Sequence, residues 1–167
     1  QGDFHESLNW ASRDKSPVIF HIQNNHYAIS VPIENQTAGA SIYKISSGYD
    51  NLYRFNVDGT NFFETYLAFN KAVDRARRGK GPSLIITDVV RLLPHSSSDD
   101  QRKYRTKEEL DSDRQRDPLL KFVNTCIEAK IAKGKDFELI KDHVKEQVDT
   151  DSEWAETQPD PDPQNKM

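Results

Sequence analysis

Pro17-Val18-Ile19-Phe20-His21-Ile22 runs straight into Gln23-Asn24-Asn25-His26-Tyr27-Ala28-Ile29-Ser30, and this junction decides the fold. Residues 17–22 form a mostly apolar run of strand length. The run stops at consecutive amides, and Asn is disfavoured inside strands because its side chain competes for nearby backbone groups. Paired asparagines at a strand end mark either a loop with a special backbone or an oxygen offered to a ligand. In open α/β sheets ligands collect at the carboxyl ends of strands, which is where these amides fall. An amide oxygen is a neutral, hard donor, and magnesium takes such oxygens alongside those of substrate phosphates. The same residues equally form an Asx turn that only reverses the chain, and the local pattern leaves both readings open.

On the N-terminal side, Phe4, Leu8 and Ala11 predict a short helix over 3–14. On the other side, 37–46 reads as a helix of small residues, and Tyr53 to Val57 as a strand closed by Asp58-Gly59. Phe62, Tyr66, Phe69, Val73 and Ala76 recur at helical spacing between Asn61 and Arg78, with Gly79 as the stop. Ser83 to Val90 is apolar and β-branched, the pattern of a strand buried on both faces. Alternating strands and helices imply an α/β fold, a parallel sheet flanked by helices with right-handed crossovers. A polar stretch over 93–107 has no periodicity, and connections of that length in compact domains are functional or disordered. Helices over 117–133 and 136–150 follow. The domain is expected over 1–157, with 158–167 a Pro/Asp-rich extended linker or docking arm. Only three strands are identifiable, few for such a sheet, which predicts that the front of the domain lies outside this chain.

The 167 residues suit one ordinary domain. With 23 basic and 27 acidic residues the net charge is −4, which argues against nucleic-acid binding as the main role. Basic residues gather at Arg75, Arg77, Arg78 and Lys80, where a helix end accommodates cations. A second group, Arg102, Lys103, Arg105 and Lys107, reads as a solvated face or as a surface for a phosphate or acidic partner. The single cysteine, Cys126, excludes an internal disulfide framework, fits a reducing compartment, and sits on an apolar helical face. No apolar run approaches the roughly 20 residues of a membrane span, so no membrane role is expected. The opening Gln-Gly-Asp shows no basic-then-apolar leader.

Gly2-Asp3-Phe4-His5-Glu6-Ser7-Leu8-Asn9-Trp10-Ala11, the strand, and Asn24-Asn25-His26-Tyr27-Ala28-Ile29-Ser30 closely resemble the second half of the thiamine-diphosphate motif of 2-oxo acid dehydrogenase alpha subunits. Arg91-Leu92-Leu93-Pro94-His95-Ser96-Ser97-Ser98-Asp99-Asp100 with Tyr104-Arg105 resembles that family's active-site loop. Val57-Asp58-Gly59 and Gly81-Pro82-Ser83-Leu84-Ile85 match its order and spacing, so the resemblance runs from Gln1 to about Pro163. Against that motif Gln1 falls just after the place of Gly-Asp-Gly, so the chain reads as a fragment whose cofactor-binding domain begins earlier.

The resemblance implies a partial thiamine-diphosphate-binding fold holding thiamine diphosphate and magnesium. Asn25 would ligate the metal through its side-chain oxygen and Tyr27 through its carbonyl; Gln23 would be a weaker phosphate contact. His95 would be the catalytic, cofactor-adjacent histidine; a neutral-range imidazole suits proton transfer, and an ordinary surface histidine is its rival. His5 matches another histidine near the family's site, whereas His21 alternates within a strand as a satisfied core group. In mitochondrial relatives the serine after the histidine, here Ser96, is phosphorylated.

The implied activity is oxidative decarboxylation of a 2-oxo acid with reductive acylation of a lipoyl group, the cofactor acting as electron sink. Ser98-Asp99-Asp100 leans toward branched-chain substrates, with pyruvate or acetoin as alternatives. Implied partners are a beta subunit or fused beta portion, a lipoyl acyltransferase core, and a second copy in a heterotetramer or fused dimer. Location would be bacterial cytoplasm, or mitochondrial matrix in a eukaryote. The rival from another class is a non-catalytic docking or structural fragment.

Overall fold

The computed structural model describes residues 2–161. The chain divides into two compact units, Gln1–Phe122 and Val123–Met167.

The first unit opens with α1 (Gly2–Asp14), which buries Leu8, Ala11 and Ser12. Strands β1 (Ile19–Asn24), β4 (Tyr53–Asp58) and β5 (Ser83–Asp88) form a three-stranded parallel sheet in the order β1-β5-β4. The first expected strand is thus shifted from 17–22 and takes in Gln23 and Asn24. In the central strand Ser83 through Thr87 are all buried, as the β-branched run predicted. Leu84 and Ile86 pack with Leu8 and Leu52 on one face. On the other face Ile85 meets Ala68 and Ala72 of α3 (Phe62–Arg77), whose small side chains let the helix approach closely. Burying each of these three strand side chains contributes about 1.5–3 kcal/mol. Register aligns Asn24 and Asp58 with opposite sides of Asp88, so three polar residues end the strands in one row.

Asn61 caps α3, accepting from Phe63 N at 3.1 Å and Glu64 N at 3.4 Å. Gly79 stops it at φ +66°, the left-handed turn that glycine adopts without strain.

Three local expectations are corrected. Residues 37–46 do not form one helix; a 3₁₀ turn (Ala38–Ala40) and α2 (Ile42–Ile45) are separated at Ser41. Gly39 and Ala40 take left-handed φ of +68° and +50°, and extended Ser41 caps Lys44 N, which restarts the helix instead of continuing it. A two-stranded antiparallel ribbon, β2 (Tyr27–Ala28) and β3 (Val31–Pro32), follows β1 directly. The aperiodic stretch 93–107 closes with a 3₁₀ turn (Gln101–Lys103), and α4 (Lys107–Gln115) begins at its end.

α5 (Pro118–Glu128) begins in the first unit and ends in the second, short of the expected 133, because Lys130 turns left-handed and Ile131 N reaches back to Cys126 O. Cys126 is buried, as its apolar face predicted. α6 (Gly134–Glu156) runs beyond the expected 150 and exposes Leu139, Ile140, Val144, Val148 and Trp154. Of the expected tail, 158–161 is described and carries no helix or strand; the rest lies outside the described residues. Among the described residues no helix is long and apolar enough to cross a membrane.

Candidate functional site

At the end of β1 the two amides make successive Asx turns. Asn24 Oδ1 accepts from His26 N at 3.2 Å, and Asn25 Oδ1 from Tyr27 N at 3.0 Å. The Asx turn, one of the two readings the amide pair left open, is therefore present. An amide oxygen has two lone pairs, so this bond leaves Asn25 Oδ1 one acceptor site. His26 O accepts from Ile33 N at 2.8 Å within the ribbon. Successive residues of an antiparallel ladder send their backbone groups to opposite sides, so the Tyr27 carbonyl points away from β3. Its register partner there, Pro32, has no N–H to offer it. Two oxygens separated by one residue thus remain able to meet a hard cation. Among the described residues no three His, Cys, Asp or Glu side chains gather as a ready-made metal cage. A cation here would rest on these neutral oxygens and on those of a bound anionic group, the arrangement that magnesium shares with phosphates.

Asn25, His26 and Tyr27 line a cleft of about 530 Å³ with Arg105, Glu109 and Asp113. Arg105 is buried; its guanidinium binds Asp113, and its Nη1 donates at 3.2 Å to Arg91 O and to Gln101 Oε1. Burial works against its charge, but Asp113 outweighs that and holds it protonated more firmly than usual. The Tyr27 hydroxyl donates to Glu109 Oε1 at 3.0 Å, and burial, together with that carboxylate, pushes the phenol up. Glu109 also accepts from Thr106 N at 2.8 Å, and this amide above all holds its carboxyl below the ordinary range.

A chain of hydrogen bonds joins the two segments that the sequence marked separately. Arg91 Nη1 donates to Ile29 O at 2.7 Å and Arg91 Nη2 to the Tyr104 hydroxyl at 2.7 Å. Tyr104 donates to Asp99 Oδ2 at 2.6 Å, which accepts His95 N at 2.9 Å. The Tyr104 hydroxyl, then the His95 amide, hold Asp99 below the usual carboxylate range. Arg91 Cζ also lies 5.3 Å from the Tyr27 ring centre.

His95 itself is exposed on its loop and does not line the cleft; only its backbone enters the chain of bonds just described. Gln23 is exposed on β1, opposite Thr87, and likewise lies outside the cleft. His5 lines a different cavity, of about 390 Å³, with Phe4, Ile22 and Ile42, and its Nδ1 lies 2.9 Å from the Tyr49 hydroxyl. His21 is satisfied by Thr87 Oγ1 at 3.0 Å, yet it is exposed and not in the core. Ser96 and Ser98 hydroxyls lie 3.2 Å apart on the exposed loop.

Glu109 and Asp113 were not foreseen in the site. Thr106-Lys107-Glu108-Glu109 carries a capping-box pattern that marks the start of α4, and the box is formed. That pattern locates the helix; the contacts of Glu109 with Tyr27 and of Asp113 with Arg105 have no signature in it.

Fold and site together define an open parallel α/β domain whose carboxyl sheet edge presents oxygen donors beside an arginine-braced loop. The profile described as "Dehydrogenase E1 component" matches residues 1–164, and the chain belongs to that family. It is similar to the 2-oxoisovalerate dehydrogenase subunit alpha of Bacillus subtilis, 40% identical over 159 residues, covering 95% of this chain and 48% of the relative. The pyruvate dehydrogenase E1 component subunit alpha of the same organism is 38% identical over 155 residues, 89% of this chain and 41% of its own length. The 3-methyl-2-oxobutanoate dehydrogenase subunit alpha of Mycobacterium tuberculosis is 40% identical over 122 residues, 73% of this chain and 33% of its own length. The chain thus spans between a third and about half of these relatives.

Proposed function

We propose that this chain is the alpha-type portion of a thiamine-diphosphate-dependent 2-oxo acid dehydrogenase, with a branched-chain 2-oxo acid as the favoured substrate. The observation that carries the reading is the turn at the end of β1, where Asn25 and Tyr27, separated by one residue, line a cleft. Asn25 Oδ1 and the Tyr27 carbonyl oxygen would hold magnesium on the cofactor's diphosphate. When bound, the cofactor supplies the electron sink for decarboxylation.

The chain's own residues bind, orient and brace. Asn25 and Tyr27 would hold the metal, while Arg91 ties the ribbon to the loop that carries His95. Tyr104 and Asp99 hold that loop by the His95 amide, leaving the imidazole free to serve as a proton carrier toward the substrate. Gln23 would add at most a phosphate contact. The partners proposed are a beta subunit or fused beta portion, a lipoyl acyltransferase core and a second copy. The location proposed is bacterial cytoplasm, or mitochondrial matrix in a eukaryote.

The test is calorimetric titration of the complete enzyme with magnesium and thiamine diphosphate. Asn25→Ala is expected to lower the affinity, because it deletes one of few protein oxygens on the ion. Unchanged affinity would refute the assignment, and failure of the unaltered enzyme to bind would favour the docking-fragment reading. Turnover of branched-chain 2-oxo acids against pyruvate then decides the substrate.

A further inference from the structure

At the carboxyl end of the sheet Asp88 makes side-chain bonds that the proposed site does not use. Asp88, the last residue of central strand β5, accepts a hydrogen bond from His26 Nε2 through Oδ1. Its other oxygen lies 3.5 Å from Arg116 Nη2, just after α4. His26 stands at φ +66°, in the left-handed region that side chains rarely adopt, though His tolerates it better than most. In that conformation its N–H meets Asn24 Oδ1 and its carbonyl meets Ile33 N. The same turn sets the direction of Asn25 Oδ1 and of the Tyr27 carbonyl.

The two Asx bonds are local, each spanning two residues, and shape the turn without tying it to the sheet. The bond from Val89 N to Asn24 O, 3.0 Å, holds the first residue of the turn beside β5, and Asp88 adds a side-chain tie at its third residue, His26. Asp88 stands in register with Asn24 and follows Thr87, which is buried in the central strand. A glycine at 26 would reach the left-handed conformation freely but would lose the side-chain bond to Asp88. We propose that His26 and Asp88 form a latch that holds the 24–27 turn in its oxygen-presenting conformation, which makes both positioning residues for the cation site. This inference rests on the assignment of Asn25 and Tyr27 to that site.

The experiment measures Mn²⁺ binding in the presence of thiamine diphosphate, by water-proton relaxation, in the complete enzyme. His26→Ala and Asp88→Ala should each raise the Mn²⁺ Kd about 10-fold, the low end for groups that orient metal ligands. The double variant should be no weaker than Asp88→Ala alone, because both substitutions remove one interaction. His26→Gly should lose less than His26→Ala, since glycine takes the required φ without strain. Amide exchange at Ile33 should quicken in both single variants while that of Ile85 stays unchanged, which general destabilisation would not produce. Unaltered Kd in both alanine variants, with Asn25→Ala still weakened, overturns the latch alone. Additive losses with faster exchange at Ile85 also overturn it. Mn²⁺ binding indifferent to Asn25→Ala overturns the site assignment, and the latch with it.

Discussion

A Cβ added at Gly59 would lie 2.5 Å from Val89 Cγ1, 2.8 Å from Thr87 Cβ and 3.0 Å from Asp88 O. The glycine is required by space, since the turn after β4 passes against the end of the central strand. Gly59→Ala should destabilise the domain by about 1–3 kcal/mol, the usual cost of overpacking, read as a lowered denaturation midpoint with unchanged slope. His95 makes the opposite case. Its side chain is exposed, so His95→Ala should shift stability by no more than about 0.5 kcal/mol. If the imidazole moves a proton in the assembled enzyme, turnover should fall about 10²–10⁴-fold with melting and cofactor affinity retained. Lost melting would make His95 structural, and full activity would make it an ordinary surface residue.

Elements are pinned to the strand ends by charge. Lys121 Nζ of α5 lies 3.1 Å from Asp58 Oδ2 and 2.6 Å from Thr60 Oγ1, and Asp58 also accepts from Thr60 N at 2.9 Å. Burial opposes its ionisation, but the Thr60 hydroxyl and amide and Lys121 outweigh it and hold Asp58 below the ordinary range. Asp58→Ala removes the acceptor of Thr60 N and Thr60 Oγ1 and should cost about 1–3 kcal/mol in chemical denaturation. Lys121→Met should cost less, because the Thr60 bonds to Asp58 survive. α4 carries a pH-dependent tie through Glu109, which accepts both Thr106 N and the Tyr27 hydroxyl. Its lowered folded pKa contributes stability that is present above the unfolded value, about 4.3, and is lost as pH falls through the folded one. Acid titration should therefore loosen the Tyr27–α4 contact as pH falls below the unfolded carboxylate value, and Glu109→Gln should flatten that part of the stability curve.

Taken whole, the chain leaves much apolar surface in water. Phe62, Phe63 and Tyr66 are exposed, with Phe62 stacked 5.9 Å from Tyr66 and edge-on to Phe122 at 4.9 Å. Leu119, Leu120 and the α6 residues named above add to it. Among the described residues the outer edges of β1 and β4 have no strand partner, and open edges template pairing with other chains. The 167-residue polypeptide alone should therefore self-associate and lack a cooperative monomeric melting transition. Analytical ultracentrifugation with calorimetry checks this; a monomer that melts cooperatively would contradict it.

Helical spacing placed α1 and α3 and an unbroken β-branched run placed β5, because each buries one continuous face or both, while β4 was marked by the Asp58-Gly59 stop at its end. The amide pair at the end of β1 was legible for the same kind of reason, since Asn at a strand end has few uses, and its order with the His95 loop marked the family. The failures were of two kinds. Residues 37–46 lack an apolar stripe to enforce a helix, so the left-handed backbone at Gly39 and Ala40 broke it. The ribbon of β2 and β3 is two residues per strand, too short for any period to register. What only tertiary structure decided is which distant side chains meet. The Tyr27 hydroxyl with Glu109, Arg91 with the Ile29 carbonyl, and the His26 ring with Asp88 are brought together by strand register and loop return. Hydrogen bonds between residues far apart leave no repeating trace in a single chain, because each depends on one geometry and not on a pattern.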